Sequence, residues 1–187
     1  MQLNMHLRNL AVLASLLIAA AADAEITGQQ RAEAAGRGLL GSPAPRLVVK
    51  TIDGSLVCTR CSGKLEANSI SGNMQLLHPT LDGVRVQTSS GNILFDGSFL
   101  SRGIYIMKNF SGTIEVHFSS NDSFDLNATS LKGDVINQAP SSFKPDTHGS
   151  PHPASKWGHS LFATMNDGHA KVELSSFSGT IKILKRD

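Results

Sequence analysis

The sequence has few aromatic residues, few cysteines and no marked excess of either charge. Aromatic side chains make up 5% of its 187 residues, and there are two cysteines. Lys and Arg number 17 against 15 Asp and Glu, and they are scattered along the chain without a basic run. Nucleic-acid binding requires a basic patch or stripe, so we expect no nucleic-acid partner.

Familiar catalytic motifs are also missing. The sequence contains no G-x-S-x-G elbow for a serine nucleophile and no H-E-x-x-H pair for zinc. A G-x-G-x-x-G match at residues 36–41 has no strand pattern before it and no helix pattern after it, which excludes a dinucleotide site. We therefore expect neither an enzyme nor a cofactor.

Residues 1–24 have the three parts of a signal peptide. Arg8 supplies the positive charge, residues 10–22 form an apolar run, and Ala22-Asp23-Ala24 provides a small-residue cleavage site. The apolar run is shorter than the ~20 residues of a membrane-spanning helix. We expect cleavage after Ala24, export to the periplasm or exterior of a bacterium, and no transmembrane segment in the mature chain.

Glycines recur along the chain, and the two residues that follow each of them show a constant pattern. The residue after each glycine is polar and the next is apolar, which is the alternation of a half-buried strand. A corner between stacked strands often requires positive φ or leaves no room for a Cβ, and glycine tolerates both. A serine precedes five of the seven, and its hydroxyl can hydrogen-bond turn backbone. The predicted turn-forming glycines are Gly54, Gly63, Gly72, Gly91, Gly112, Gly133 and Gly179.

A second series of strands lies about half a repeat away. Each turn of ~20 residues then supplies two short strands, and their apolar faces are buried only when turns stack. The sequence thus predicts an all-β fold, a parallel β-solenoid with one long insertion loop. Turn pairs such as Asp82-Gly83 and Asp167-Gly168 introduce the second series. Its members are Val84-Arg85-Val86, Ile104-Tyr105-Ile106, Phe124-Asp125-Leu126 and Val172-Glu173-Leu174.

Two regions interrupt the repeat. Residues 25–45 are rich in Ala, Gly and Gln and are predicted as a flexible leader to the solenoid domain, residues 46–187. The interval from Gly133 to Gly179 is more than twice as long as the other intervals, and the surplus falls on residues 138–161, which contain four prolines. We predict that this segment is the insertion loop.

Three segments resemble a bacterial family of adhesin-like domains of unknown function that are built from repeated strand-Ser-Gly-strand units. They are SISGNM at residues 69–74, residues 119–135 with their end SLKGDV, and residues 168–183 with VELSSFSGTI. A loop of variable length before the last segment is also similar to that family. The resemblance implies a β-solenoid in the periplasm or at the cell surface, and it supplies no catalytic residues.

Cys58 and Cys61 form a C-x-x-C pair, a spacing that serves disulfides, zinc sites and redox centres. A zinc site needs two further ligands, and there is no second C-x-x-C. A thioredoxin-like centre needs a helix N-terminus at the first cysteine, whereas this pair stands between predicted strands. Export favours oxidation, so a local disulfide is our leading interpretation and free thiols are the main alternative.

Three histidines, His148, His152 and His159, lie in the predicted insertion with Asp146 nearby. Imidazoles and a carboxylate can bind zinc or copper. Their spacings of four and seven residues match no common metal site, so the alternative is an exposed Pro-rich loop that tolerates histidine. We expect Trp157, the only tryptophan, to anchor this loop on the solenoid.

The sequence therefore favours a non-enzymatic envelope or secreted module, adhesin-like or structural, whose partner is an unknown envelope protein or a glycan. A glycan-active β-solenoid enzyme is one alternative, although such chemistry requires carboxylates that converge on one face. Metal binding by the histidine-containing loop is the other. Outward positions between the aligned apolar residues hold Glu66, Gln75, Leu94, Glu115, Ile136 and Lys182, which do not form an acidic ladder.

Overall fold

The computed structural model describes residues 30–32, 45–139, 142–145 and 159–186. Within these ranges the chain forms fifteen strands and no α-helix. The same ranges hold no helix with the length and apolar character needed to cross a bilayer. The strands are β1 Gln30–Ala32, β2 Arg46–Thr51, β3 Leu56–Thr59, β4 Ser62–Ser69, β5 Met74–Leu77, β6 Thr80–Ser90, β7 Ile93–Asp96, β8 Ile104–Ser111, β9 Thr113–Phe118, β10 Phe124–Ser130, β11 Val135–Asn137, β12 Lys144–Pro145, β13 His159–Met165, β14 Ala170–Ser176 and β15 Thr180–Lys185.

The strands form two sheets with the hydrophobic core between them. Sheet A has the order β1-β3-β5-β7-β9-β15-β11, and sheet B has the order β12-β13-β10-β14-β8-β6-β4-β2. Neighbouring strands are parallel except around β13, which runs antiparallel to β10 and β12. Side chains alternate between core and solvent along each strand, and the inward ones form one continuous cluster. The predicted all-β parallel solenoid is confirmed.

The last turn of the chain does not lie at the end of the stack. Strand β14 pairs with β8 on one side and β10 on the other. Strand β15 likewise lies between β9 and β11. The final turn is therefore inserted between the β8–β9 turn and the β10–β11 turn, and the turns are not stacked in chain order.

One corner of the solenoid is lined by glycine. At Gly91 an added Cβ would overlap the carbonyl oxygen of Gly72, and most of the other corner glycines approach a neighbouring turn in the same way. This corner has no space for a side chain, which is why glycine recurs there. In stacking order its members are Gly54, Gly72, Gly91, Gly112, Gly179 and Gly133.

The serines that precede four of these glycines connect successive turns. Each hydroxyl lies 3.1 to 3.3 Å from a backbone carbonyl oxygen of the adjacent turn, and that of Ser71 also lies 2.7 Å from the carboxylate of Asp53 in that adjacent turn. These hydrogen bonds explain the Ser-Gly pairs by turn chemistry alone. The four serines are Ser71, Ser90, Ser111 and Ser178, and their acceptors are the carbonyl oxygens of Ile52, Ile70, Ser89 and Phe110.

Two predicted turn glycines have other positions. Gly63 lies in β4 at a bulge, with φ of 92°, and its Cα faces the carbonyl oxygen of Pro45. Its place in the corner series is wrong, because it belongs to a strand of sheet B. The pair Asp82-Gly83 likewise lies inside β6 and forms no turn.

Strand β8 is shifted by one residue relative to the alignment of Ile104-Tyr105-Ile106 with Val84-Arg85-Val86, because Val84 pairs with Tyr105. Ile104 is 54% exposed, whereas Tyr105 is fully buried and pairs with Val84. The Tyr105 hydroxyl donates to the carbonyl oxygen of Leu81 at 2.6 Å and accepts from the backbone N–H of Leu100 at 2.8 Å. These bonds satisfy the phenol inside the core and allow the ring to face inward.

Both segments that interrupt the repeat contain strands. Within the predicted leader, β1 pairs with β3. Within the predicted insertion, β12 pairs with β13, and Phe143 packs on Phe118 with ring centroids 5.3 Å apart. The described part of the insertion therefore covers the end of the stack and includes strand residues. Residues 140–141 and 146–158 lie outside the described residues.

Candidate functional site

The outer face of sheet A carries a shallow groove of about 240 Å³ across β7, β9 and β15. Leu94, Glu115 and Lys182 lie at one level of the groove because they are register partners on the three strands. Outward residues at a common level of a parallel sheet form a row about one strand spacing apart. The complete lining is Asn92, Ile93, Leu94, Thr113, Glu115 and Lys182.

The rim of this groove is held by amide side chains that bridge successive turns. The Oδ1 atom of Asn73 accepts from the backbone N–H of Asn92 at 3.0 Å, and the Oδ1 atom of Asn92 accepts from the N–H of Thr113 at 2.8 Å. Each bond satisfies a backbone donor at the start of a strand. The rim is therefore polar and fixed in position.

Charged side chains beside the groove are paired with each other. Glu115 contacts His117 at 2.7 Å and Lys182 at 4.0 Å, and Asp96 contacts Arg186 at 2.8 Å. Partly exposed ion pairs contribute little to stability, typically ~0–1 kcal/mol. These charged groups can therefore exchange their protein partner for a hydroxyl or charged group of a ligand with little loss of free energy.

The outward positions that the sequence pattern places in one series lie on the outer faces of two different sheets. Glu66 lies on β4 of sheet B, whereas Glu115 lies on β9 of sheet A. The core separates the two carboxylates, so they cannot act on one glycosidic bond. The carboxylate closest to Glu115 by strand register is Asp96, whose pairing partner on β9 is His117.

The structure joins Cys58 and Cys61 in a disulfide with a Cα–Cα distance of 6.0 Å. Both cysteines are buried, with side chains 0% and 2% exposed. The turn between them contains Arg60 at positive φ, and it leads from β3 into β4. The pair lies inside the core and away from the groove, so its position is that of a structural element.

The three predicted histidines are only partly accounted for. The Nδ1 atom of His159 lies 2.8 Å from the carbonyl oxygen of Gly133 and 3.1 Å from a carboxylate oxygen of Asp134. His148, His152 and Trp157 are outside the described residues. In the part of the chain that the structure describes, no three His, Cys, Asp or Glu side chains are grouped to hold a metal ion.

A row of outward residues at the glycine corner is a surface that the sequence patterns did not single out. We call it the corner row: one residue per turn, two positions before each corner glycine. Phe110 and Phe177 stack in this row with ring centroids 4.6 Å apart and an angle of 8° between the ring planes. The Nζ atom of Lys132 lies 4.9 Å from the centroid of the Phe177 ring. The row is, in stacking order, Ile52, Ile70, Ser89, Phe110, Phe177 and Leu131.

The sequence does contain a signal for this row. Five of the six positions that precede a corner glycine by two residues are large and apolar, and four of these side chains are 37% to 67% exposed. Exposed apolar side chains gathered in one line indicate an interaction surface more often than single ones do. The signal appears when the corner glycines are aligned, and the stacking order then shows which members of the row are neighbours.

A family model matches most of the chain. The model of the Toastrack DUF4097 family matches residues 4–184. That range includes the groove, the glycine corner and the corner row. No curated protein and no solved structure matches the chain.

Proposed function

This chain belongs to the Toastrack DUF4097 family, and we propose that it is a non-enzymatic binding module of the bacterial envelope. The observation that carries the proposal is the groove on sheet A, where Leu94, Glu115 and Lys182 project from three hydrogen-bonded parallel strands. Side chains on strands are held more accurately than side chains on loops. The groove therefore offers a preformed surface of polar and charged groups to a partner.

The chemistry of the groove suits an adhesin-like role toward a glycan or an envelope protein. Leu94 provides an apolar floor, while Asn92 and Thr113 provide polar groups beside it. Glu115 and Lys182 supply one charge of each sign at the same level. A few polar groups around an apolar base are typical of surfaces that orient a ligand without reacting with it.

Export is the second part of the proposal. The signal-peptide pattern of residues 1–24 and the buried cysteine pair both favour an oxidising compartment. We expect protein isolated from the native envelope to begin at Glu25. Amino-terminal sequencing checks this, and an intact Met1 on the envelope protein would contradict it.

The binding role is tested by proximity labelling in the native envelope with a groove variant and a matched control. Leu94→Arg places a bulky cation in the groove, whereas Ile104→Arg makes the same change on the outer face of sheet B, where the side chain is 54% exposed. We expect the first variant to lose partners that the second retains. Identical labelling by both variants would refute the groove as the binding surface.

A glycan-active enzyme is the competing function, because Asp96 and Glu115 lie on the same face with His117 beside them. A reducing-end assay on purified polysaccharides distinguishes the two. We expect no turnover by the mature protein. Turnover that Glu115→Gln or Asp96→Asn abolishes would replace the binding module with a hydrolase.

A further inference from the structure

The corner row contains a slot at Ser89. Its two neighbours in the row, Ile70 and Phe110, are both large and more than half exposed. They lie one turn away on either side, as shown by the bond from the N–H of Ser90 to the carbonyl oxygen of Ile70 and by the register of β6 and β8. Ser89 itself is small and exposed. The row is therefore open at this one level.

One face of the Phe110 ring borders this slot. The opposite face of Phe110 is covered by Phe177, and the far side of Phe177 is covered by Lys132. Successive turns are about 4.8 Å apart, which is close to the 4.6 Å between the Phe110 and Phe177 centroids. A flat ring placed at the level of Ser89 would thus continue the stack at the distance that the protein already uses.

The surroundings of the slot are polar and uncharged. The hydroxyls of Ser90 and Ser111 donate to the carbonyl oxygens of Ile70 and Ser89, so their lone pairs remain available to accept. The Ser89 hydroxyl has no hydrogen-bond partner among the described residues. From the level of Ile70 to that of Phe177, the corner row and the serines after it carry no charge.

Charged side chains along this surface are held by other groups of the protein. Lys108, two residues before Phe110 on the same outer face, forms an ion pair with Glu173 at 2.7 Å. Asp53 and Lys132 lie at the two ends of the corner. A phosphate or carboxylate would find no free cation at the slot, whereas a neutral ring that carries hydroxyl groups finds both an aromatic face and hydrogen-bond acceptors.

We propose that the slot at Ser89 binds one pyranose ring of a neutral glycan, stacked on Phe110, with its hydroxyl groups donating to the serine hydroxyls of the corner. This site rests on the proposed function and extends it by naming the ligand class. Ser89 and Leu94 belong to the same turn, and Asn92 between them forms part of the groove rim. A glycan chain can therefore pass from the slot into the groove.

The experiment measures binding of neutral cello- and chito-oligosaccharides, and of an anionic oligogalacturonate, to the mature protein by calorimetry. Ser89→Phe fills the slot with a large apolar side chain like those in the rest of the row. We expect it to lower affinity for a neutral oligosaccharide by about tenfold or more. Phe110→Ala removes the stacking face and should have the same effect. Ile104→Phe, the matched control, adds a phenylalanine at an exposed position of sheet B outside the corner row and should change affinity by less than about threefold.

Further measurements keep the outcomes distinct. Because Ser89, Phe110 and Ile104 are exposed, all three variants should fold, which urea unfolding checks. Loss of glycan binding in Leu94→Arg but not in Ser89→Phe would overturn the slot and leave the binding module intact. Absence of neutral-glycan binding by the wild-type protein would overturn the slot as well, and so would preferential binding of the oligogalacturonate or of a phenylalanine-containing extended peptide.

Discussion

The hydroxyl of Ser130 donates a hydrogen bond of 2.7 Å to the carbonyl oxygen of Gly179 and accepts one of 3.1 Å from the backbone N–H of Gly133. Ser130 is fully buried. The bond to Gly179 connects the β10–β11 turn to the inserted final turn, and the bond from Gly133 lies within the β10–β11 turn. They also satisfy backbone groups at a corner that water does not reach.

Replacement of Ser130 by alanine is therefore expected to destabilise the protein. The change leaves a buried carbonyl and a buried N–H with one partner fewer, which costs about 1–3 kcal/mol. Urea unfolding measures the difference. The control is Thr129→Ala, whose side chain faces outward on the same strand and which should cost less than about 0.5 kcal/mol. Equal effects of both variants would contradict the connecting role of Ser130.

Gly91→Ala is expected to be more severe than Gly83→Ala. The added Cβ at Gly91 would overlap the backbone of Gly72, which cannot move without breaking the ladder. We expect a loss of about 3 kcal/mol or more. At Gly83 the nearest atom is 3.3 Å away, on the flexible side chain of Lys64, so that variant should stay within about 1 kcal/mol of wild type. Similar melting temperatures for both variants would refute the tight corner.

Asn109 and Ser69 are the members of a buried polar column on sheet B whose side-chain polar atoms lack hydrogen-bond partners among the described residues. The Asn109 side chain is 6% exposed, and neither its amide oxygen nor its amide nitrogen has a partner among the described residues. The register partners on either side are Thr88 and Ser176. Unpartnered buried polar groups cost about 1–3 kcal/mol, so Asn109→Thr should raise the free energy of unfolding by about 1 kcal/mol. Asn68→Thr, at an outward position on β4, should have little effect, and a destabilised Asn109→Thr would contradict the prediction.

Stability is expected to decrease at high pH because of Tyr105. Burial raises the pKa of this phenol to about 12. Between the ordinary pKa of 10.0 and this value, the unfolded chain loses a proton that the folded protein keeps, so unfolding becomes easier as pH rises. The stability that depends on protonated Tyr105 is fully present below about pH 10. Its loss at higher pH lowers the free energy of unfolding by about 3 kcal/mol.

Comparison with Tyr105→Phe isolates this effect from the titration of lysines. The variant lacks the bonds to Leu81 and Leu100 and should be less stable at neutral pH by about 1–3 kcal/mol. Its stability should fall less steeply than that of the wild type above about pH 10. Tyr105 is the only tyrosine, so tyrosinate absorbance reports its titration directly. Parallel pH profiles for the two proteins would contradict the buried-phenol explanation.

Reduction of the Cys58–Cys61 bond is expected to lower stability modestly. The bond closes a loop of only four residues, and the loop-closure model assigns about 2 kcal/mol to such a short loop. Urea unfolding with and without reductant measures the difference, and the Cys58→Ala/Cys61→Ala double variant should not respond to reductant. Alkylation of both thiols in denatured, unreduced protein would instead support the free-thiol alternative.

Much of the architecture follows from the sequence because each signal is local. Period-two alternation predicts the strands, and glycine-polar-apolar triplets predict the corner at six of seven positions. Gly63 is misplaced because a strand can require glycine for the same reason as the corner: an added Cβ would overlap a backbone carbonyl oxygen of the neighbouring turn, here that of Pro45. The triplet Ile104-Tyr105-Ile106 does not by itself show which residues face the core, because two apolar residues flank a tyrosine. Only the partners of its hydroxyl show that Tyr105 is the buried residue.

The sequence by itself determined the all-β solenoid, its glycine corner and the approximate extent of its turns. Only the tertiary structure decided the order in which the turns stack, and with it the meeting of Phe110 with Phe177 and the open level at Ser89. The physical reason is that every turn presents nearly the same row of backbone donors and acceptors to its neighbour. Local sequence therefore specifies that a turn stacks, while core packing across the whole stack and the antiparallel strand β13 select which turn it stacks on.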